Sequence, residues 1–90
     1  MAQVMLDETI TDEELSKHRE KYSLIESPSE TDQFQFALTL IRSKQKTFIE
    51  EGLFLYQNLF TKTADENIKR DSLYYMAIAQ TKLRYLKENI

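Results

Sequence analysis

The sequence holds one histidine and no cysteine, so few side chains are suited to covalent or metal chemistry. His18 sits in Lys17-His18-Arg19-Glu20, among the charged residues of a helical stretch. A Ser–His nucleophile pair needs a serine that the fold positions against the imidazole, and nothing in the sequence points to one. A zinc site needs three or four ligands, which a single histidine without cysteine does not assemble. The carboxylate runs Asp12-Glu13-Glu14 and Glu50-Glu51 fall at helix starts. There they face the positive end of the helix dipole, which is reason enough for their presence. One glycine cannot build a phosphate-binding loop. The reading is a non-enzyme with no cofactor and no metal.

The chemistry that remains is recognition. Five Tyr and five Phe are the conspicuous component of the chain. Most lie at helical spacing and read as core. Aromatics left on an open face suit partner binding, because they offer large contact area with few rotatable bonds. The candidate groove is Phe36, Leu40 and Lys44 on one helix with Tyr75, Ala79 and Lys82 on the next. Steps of three and four residues place each set on a shared face. Two such helices side by side form a shallow groove for a peptide. Lys44 and Lys82 would steer an acidic partner, or the chain's own acids.

Four Ser/Thr-x-x-Glu signatures mark the expected helix starts: Thr11 with Glu14, Ser27 with Glu30, Thr47 with Glu50, and Thr63 with Glu66. Ile10 and Leu15 add a hydrophobic staple to the first, and Pro28 suits the first turn of the second. The apolar periodicity then predicts four helices, over 12–25, 28–44, 48–61 and 64–87. The first has a thin apolar face of Leu15, Tyr22 and Ile25 and reads as a cover. The fourth is apolar on two sides, so one side lacks a partner. Gly52 lies inside the third helix, where glycine costs about 1 kcal/mol against alanine. A close helix contact explains it, with Ala37 and Ala77 as the other small packing residues.

Composition narrows the rest. Ninety residues with 41% hydrophobic content support one small domain. No apolar run approaches the roughly 20 residues of a membrane-spanning helix. Nine acids stand against three bases in residues 1–32, a net of −6, and six against nine in residues 33–90, a net of +3. This balance excludes a default nucleic-acid binder. It also sets an acidic front against a mildly basic body.

The run Gln33-Phe34-Gln35-Phe36-Ala37 through Ile41-Arg42-Ser43-Lys44 resembles the first repeat of the mitochondrial fission protein 1 family. Ile49 to Leu59 is similar to the next helix of that family, with Gly52 at its packing glycine. Leu73-Tyr74-Tyr75-Met76-Ala77-Ile78 and then Lys82-Leu83 resemble the start of its second repeat. Val4-Met5-Leu6 and Asp12-Glu13-Glu14-Leu15 are similar to its N-terminal arm and first helix.

The resemblance implies an all-α bundle with a tetratricopeptide-like hairpin of about four helices. Residues 1–26 would form the arm and first helix, and 27–90 the repeat region with an incomplete second repeat. It implies a non-enzymatic adaptor in mitochondrial, and also peroxisomal, fission. Partners would be a dynamin-related GTPase and its adaptor proteins, bound in the concave groove, with the arm regulating access. Attachment to the cytosolic face of the outer membrane would use a C-terminal anchor that this chain lacks, and a homodimer would compensate for the missing repeat helix. The alternatives from the residues alone are a cochaperone or import-receptor module and a homodimeric helical regulator. The cochaperone type needs a clamp of several Lys, Arg and Asn, which the groove lacks.

Overall fold

The computed structural model describes residues 9–88, so the Val4-Met5-Leu6 stretch lies outside the described residues. Those residues are all-α: α1 (Asp12–Ser23), α2 (Glu30–Ile41), α3 (Lys46–Lys62) and α4 (Glu66–Glu88). The order and number match the periodicity, and the ends shift by a few residues.

The shifts come from capping. At α1 the Thr11 hydroxyl accepts from Glu14 N and Glu14 Oε1 accepts from Thr11 N, both at 3.1 Å. Ile10 and Leu15 are buried in one cluster, which closes the staple. α2 starts later than expected, because Ser29 and Asp32 form the reciprocal pair in place of Ser27 and Glu30. Glu30 instead accepts from the Thr63 hydroxyl at 2.7 Å. α3 begins at Lys46, ahead of the Thr47 signature, with Gln45 at its N-cap. Thr63 does not cap α4 either. Asp65 does, with Oδ1 accepting from Asn67 N at 2.8 Å and Ile68 N at 3.2 Å. Two of the four expected capping boxes are thus replaced by other side chains, and at α3 the N-cap Gln45 makes no side-chain capping bond.

α2 and α3 form an antiparallel hairpin, and α4 packs along α3 while also reaching α2. The main core joins Ala37 and Ile41 of α2, Ile49, Tyr56 and Leu59 of α3, and Ile78 and Ala79 of α4. Tyr56 is fully buried, and its hydroxyl donates to Phe34 O at 3.1 Å. Its ring meets Phe34 edge-on at 5.1 Å and stacks on Tyr75 at 5.6 Å. Burial holds its hydroxyl protonated far above the ordinary tyrosine range.

The hairpin closes on Gly52. A Cβ there would stand 2.6 Å from Ile41 Cγ2 and 3.0 Å from both Ala37 O and Leu40 Cβ. Ala37 is fully buried in that contact, whereas Ala77 is exposed on α4. Leu73 and Tyr74 on α4 and Phe54 on α3 are also exposed.

Gly52→Ala gains about 1 kcal/mol of helix propensity but overpacks the hairpin at a cost of about 1–3 kcal/mol. Because backbone oxygen is among the atoms met, the expected net result is a lower urea midpoint with an unchanged slope. An equal or higher midpoint would show that the helices separate freely. For pH, a tyrosine raised by burial stabilises the fold fully below its unfolded pKa of about 10. That contribution is lost as pH climbs beyond it, because only the unfolded chain then ionises. Tyr56→Phe is expected to flatten the loss of stability above pH ~10, measured by urea titration at several alkaline pH values.

Candidate protein-docking site

α1 lies across α2 and covers a second apolar cluster of Ile10, Leu15, Phe36 and Leu40, flanked by Tyr22, Phe48 and Leu55. The Tyr22 ring stacks on Phe36 with centroids 4.3 Å apart. Leu15, Arg19 and Tyr22 share one face of α1, and Arg19 reaches past α2 to α3. Its two terminal nitrogens meet Glu51 in a paired contact at 2.7 and 3.0 Å. The guanidinium also sits 5.4 Å from the Phe36 ring centre and 5.5 Å from that of Phe48. The Glu51 hydrogen bonds raise the Arg19 pKa, against a smaller desolvation effect. This is a clamp over aromatics, placed where solvent still reaches both partners: the two side chains are 41% and 38% exposed.

A cleft of about 220 Å³ remains between α1 and α2, lined by His18, Lys21, Tyr22, Asp32, Phe36 and Thr39 among others. α1 ends in an exposed Leu24.

The other end of the hairpin is polar. The turn between α2 and α3 presents carbonyls that the helix leaves without intrahelical donors. Lys82 of α4 donates its ammonium to Ile41 O and, at 3.2 Å, to Ser43 O. Its charge thus rests at the negative end of the α2 dipole. Desolvation, and then the neighbouring Arg42 charge, lower its pKa. Ile10 N donates to Arg42 O at 3.1 Å, and Gln45 Nε2 to Asp12 Oδ2 at 3.3 Å. One short turn therefore ties α4 to the start of α1. Beside it opens a cavity of about 510 Å³, lined by Thr9, Ser43, Lys44, Thr81, Lys82, Tyr85 and Leu86.

The six groove candidates divide three ways. Phe36 and Leu40 lie beneath α1, and Leu40 is fully buried. Tyr75 packs against the main core, and Ala79 is fully buried within it. Lys44 and Lys82 meet at the 510 Å³ cavity, Lys44 exposed and Lys82 buried. Arg19 and Glu51 were not singled out from sequence. The available signal was an arginine between Leu15 and Tyr22, on the apolar face of an otherwise charged helix. Among the described residues, no cluster of three His, Cys, Asp or Glu is placed to hold a metal ion. No helix there is long and apolar enough to cross a membrane.

No protein-family model matches the chain. The mitochondrial fission 1 protein of Bos taurus is 32% identical over 85 residues, covering 91% of this chain and 55% of that protein. The protein of the same name from Homo sapiens is 31% identical over the same extent. The FIS1-related protein fis-2 of Caenorhabditis elegans is 33% identical over 57 residues, 63% of this chain and 38% of its own length. The chain thus spans about half the length of the first two relatives. These homologues agree with the resemblance read from the sequence.

The clamp generates a local prediction. A half-exposed ion pair contributes about 0.2–1 kcal/mol, and cation–π contact a similar ~0.5–1 kcal/mol. Arg19→Ala is expected to speed amide exchange in α1 by several-fold and leave α3 amides unchanged. Equal acceleration in both helices would show that α1 does not open separately.

Proposed function

We propose that this homologue of the mitochondrial fission 1 proteins acts as a non-enzymatic adaptor in mitochondrial fission. The observation that carries the reading is the covered patch. Phe36, Phe48 and Leu40 form an apolar surface across α2 and α3, and a separate, highly charged helix shields it. A cover held by buried Ile10 and Leu15, a ring stack, a half-exposed clamp and two hydrogen bonds at its start, all outside the main cluster, can lift without dismantling the α2–α3–α4 core. The likeness to mitochondrial fission 1 proteins supplies the process.

In this reading the repeat-like region, residues 27–90, holds the partner, and the acidic segment 1–26 controls access to it. The partners are a dynamin-related GTPase or its adaptor proteins. The place of action is the cytosolic face of the mitochondrial outer membrane, and the same device would serve peroxisomal fission. Phe36 and Leu40 then contact the partner only when α1 is displaced, while Lys44 remains accessible throughout.

If the closed form predominates, apparent affinity is reduced by the open fraction. Loosening α1 by about 1 kcal/mol should therefore tighten binding about fivefold. The test is a calorimetric titration of the purified dynamin-related GTPase into the wild-type chain and the Arg19→Ala variant. Tighter binding by the variant supports a gated adaptor. Weaker binding by the variant would place Arg19 in the interface and remove the gate from the proposal.

A further inference from the structure

We propose that the cavity between the α2–α3 turn and the C-terminal half of α4 is a docking pocket for an acidic segment of a partner protein. It would take an apolar side chain inside and a carboxylate on Lys44 and Lys82. The inference rests on the adaptor reading and names the partner chemistry.

Charge is the first argument. Lys44 and Lys82 line the cavity, and among the described residues no Asp or Glu does. Arg42 lies close enough to Lys82 to disfavour its charged form. The Glu14 carboxylate lies within electrostatic reach of Arg42, but the two lysines on the cavity wall have no acid beside them in that wall among the described residues, and an anion there would favour their charged forms. The second argument is spare donor capacity. Lys82 is only 9% exposed, and its ammonium has three donors. Two are committed to Ile41 O and Ser43 O. One remains on a side chain that lines the cavity. Arg42 Nε, one residue from this wall, is buried without a hydrogen-bond partner. Such donors are satisfied most strongly by an ionised acceptor.

Shape and surface complete the case. A volume of about 510 Å³ lies within the ordinary range for ligand pockets. Leu86, the Tyr85 ring and the methyl groups of Thr9 and Thr81 supply apolar wall. Lys44, Thr81 and Tyr85 are exposed, so the cavity opens to the surface and a chain can lie across its mouth. An exposed lysine at the rim and a buried one in the wall suit a carboxylate that arrives with an apolar neighbour.

The probes are a short fluorescent peptide of leucine and glutamate and its leucine–glutamine counterpart, titrated into the full chain by anisotropy and followed by amide NMR. The expected result is about tenfold tighter binding of the glutamate peptide, weakened by salt. Shifts should centre on Ser43, Lys44, Thr81 and Lys82. Lys44→Gln, at an exposed position, should remove most of the preference with helicity unchanged. Lys82→Met gives a second check from the buried side. Equal binding of the two peptides, or shifts confined to the cleft between α1 and α2, would overturn the pocket. Binding of the dynamin-related GTPase without any preference for the glutamate peptide would overturn the pocket alone and leave the adaptor reading standing. The preference without GTPase binding would support the pocket and count against that GTPase as partner.

Discussion

The closeness of α2 and α3 at Gly52 is the constraint on which the rest of the molecule depends. With no Cβ at Gly52, the Ala37 carbonyl and Ile41 side chain come into direct contact with α3. This approach lets Tyr56 reach Phe34 O with its hydroxyl. The aromatic group of Phe34, Tyr56 and Tyr75 is assembled around that contact, and it carries α4. A wider hairpin would break the Tyr56 hydrogen bond and leave a polar group buried without a partner, which costs more than the bond itself contributes. A glycine unfavourable for α3 as an isolated helix is therefore favourable for the hairpin.

At the turn of the same hairpin, polar groups do the joining. Three consecutive carbonyls, of Ile41, Arg42 and Ser43, are taken by donors from outside the hairpin. Two go to Lys82 and one to Ile10. The buried lysine is tolerable because it meets oxygens that would otherwise lack donors. It also means that the turn senses both α4 and the segment leading into α1.

How much of this was legible depends on the range of each interaction. The four helices and their order are local properties, and the apolar periodicity carries them. Caps are less legible. Ser27, Glu30 and Thr63 have the right types and spacing, yet Glu30 and Thr63 bond each other across 33 positions and leave capping to Ser29 and Asp65. Spacing likewise places Phe36 and Leu40 on one helix face but does not say which element lies against it. The answer is α1. Lys82 shares a face with Ala79 and Tyr75 by periodicity, while its partners lie 39 and 41 positions away. Arg19 was hidden by its setting, because Lys17-His18-Arg19-Glu20 reads as a solvated run.

The two apolar clusters differ in what holds them. The main core is shared by three helices and closed by buried rings and fully buried aliphatics. Removing any of its helices exposes the other two. The second cluster is closed from one side by α1 alone, through Leu15, Tyr22 and a clamp open to water. Local opening favours the part of a structure with the fewest buried contacts. In the gated reading proposed above, a helix that covers large aromatics with a single fully buried side chain of its own would expose those rings on opening. The acids along α1 keep it soluble when it lifts, since its mean hydropathy is low and Leu15 is its only buried side chain. On that reading, separating a three-helix core from a charged cover would keep a binding surface from becoming an exposed apolar patch.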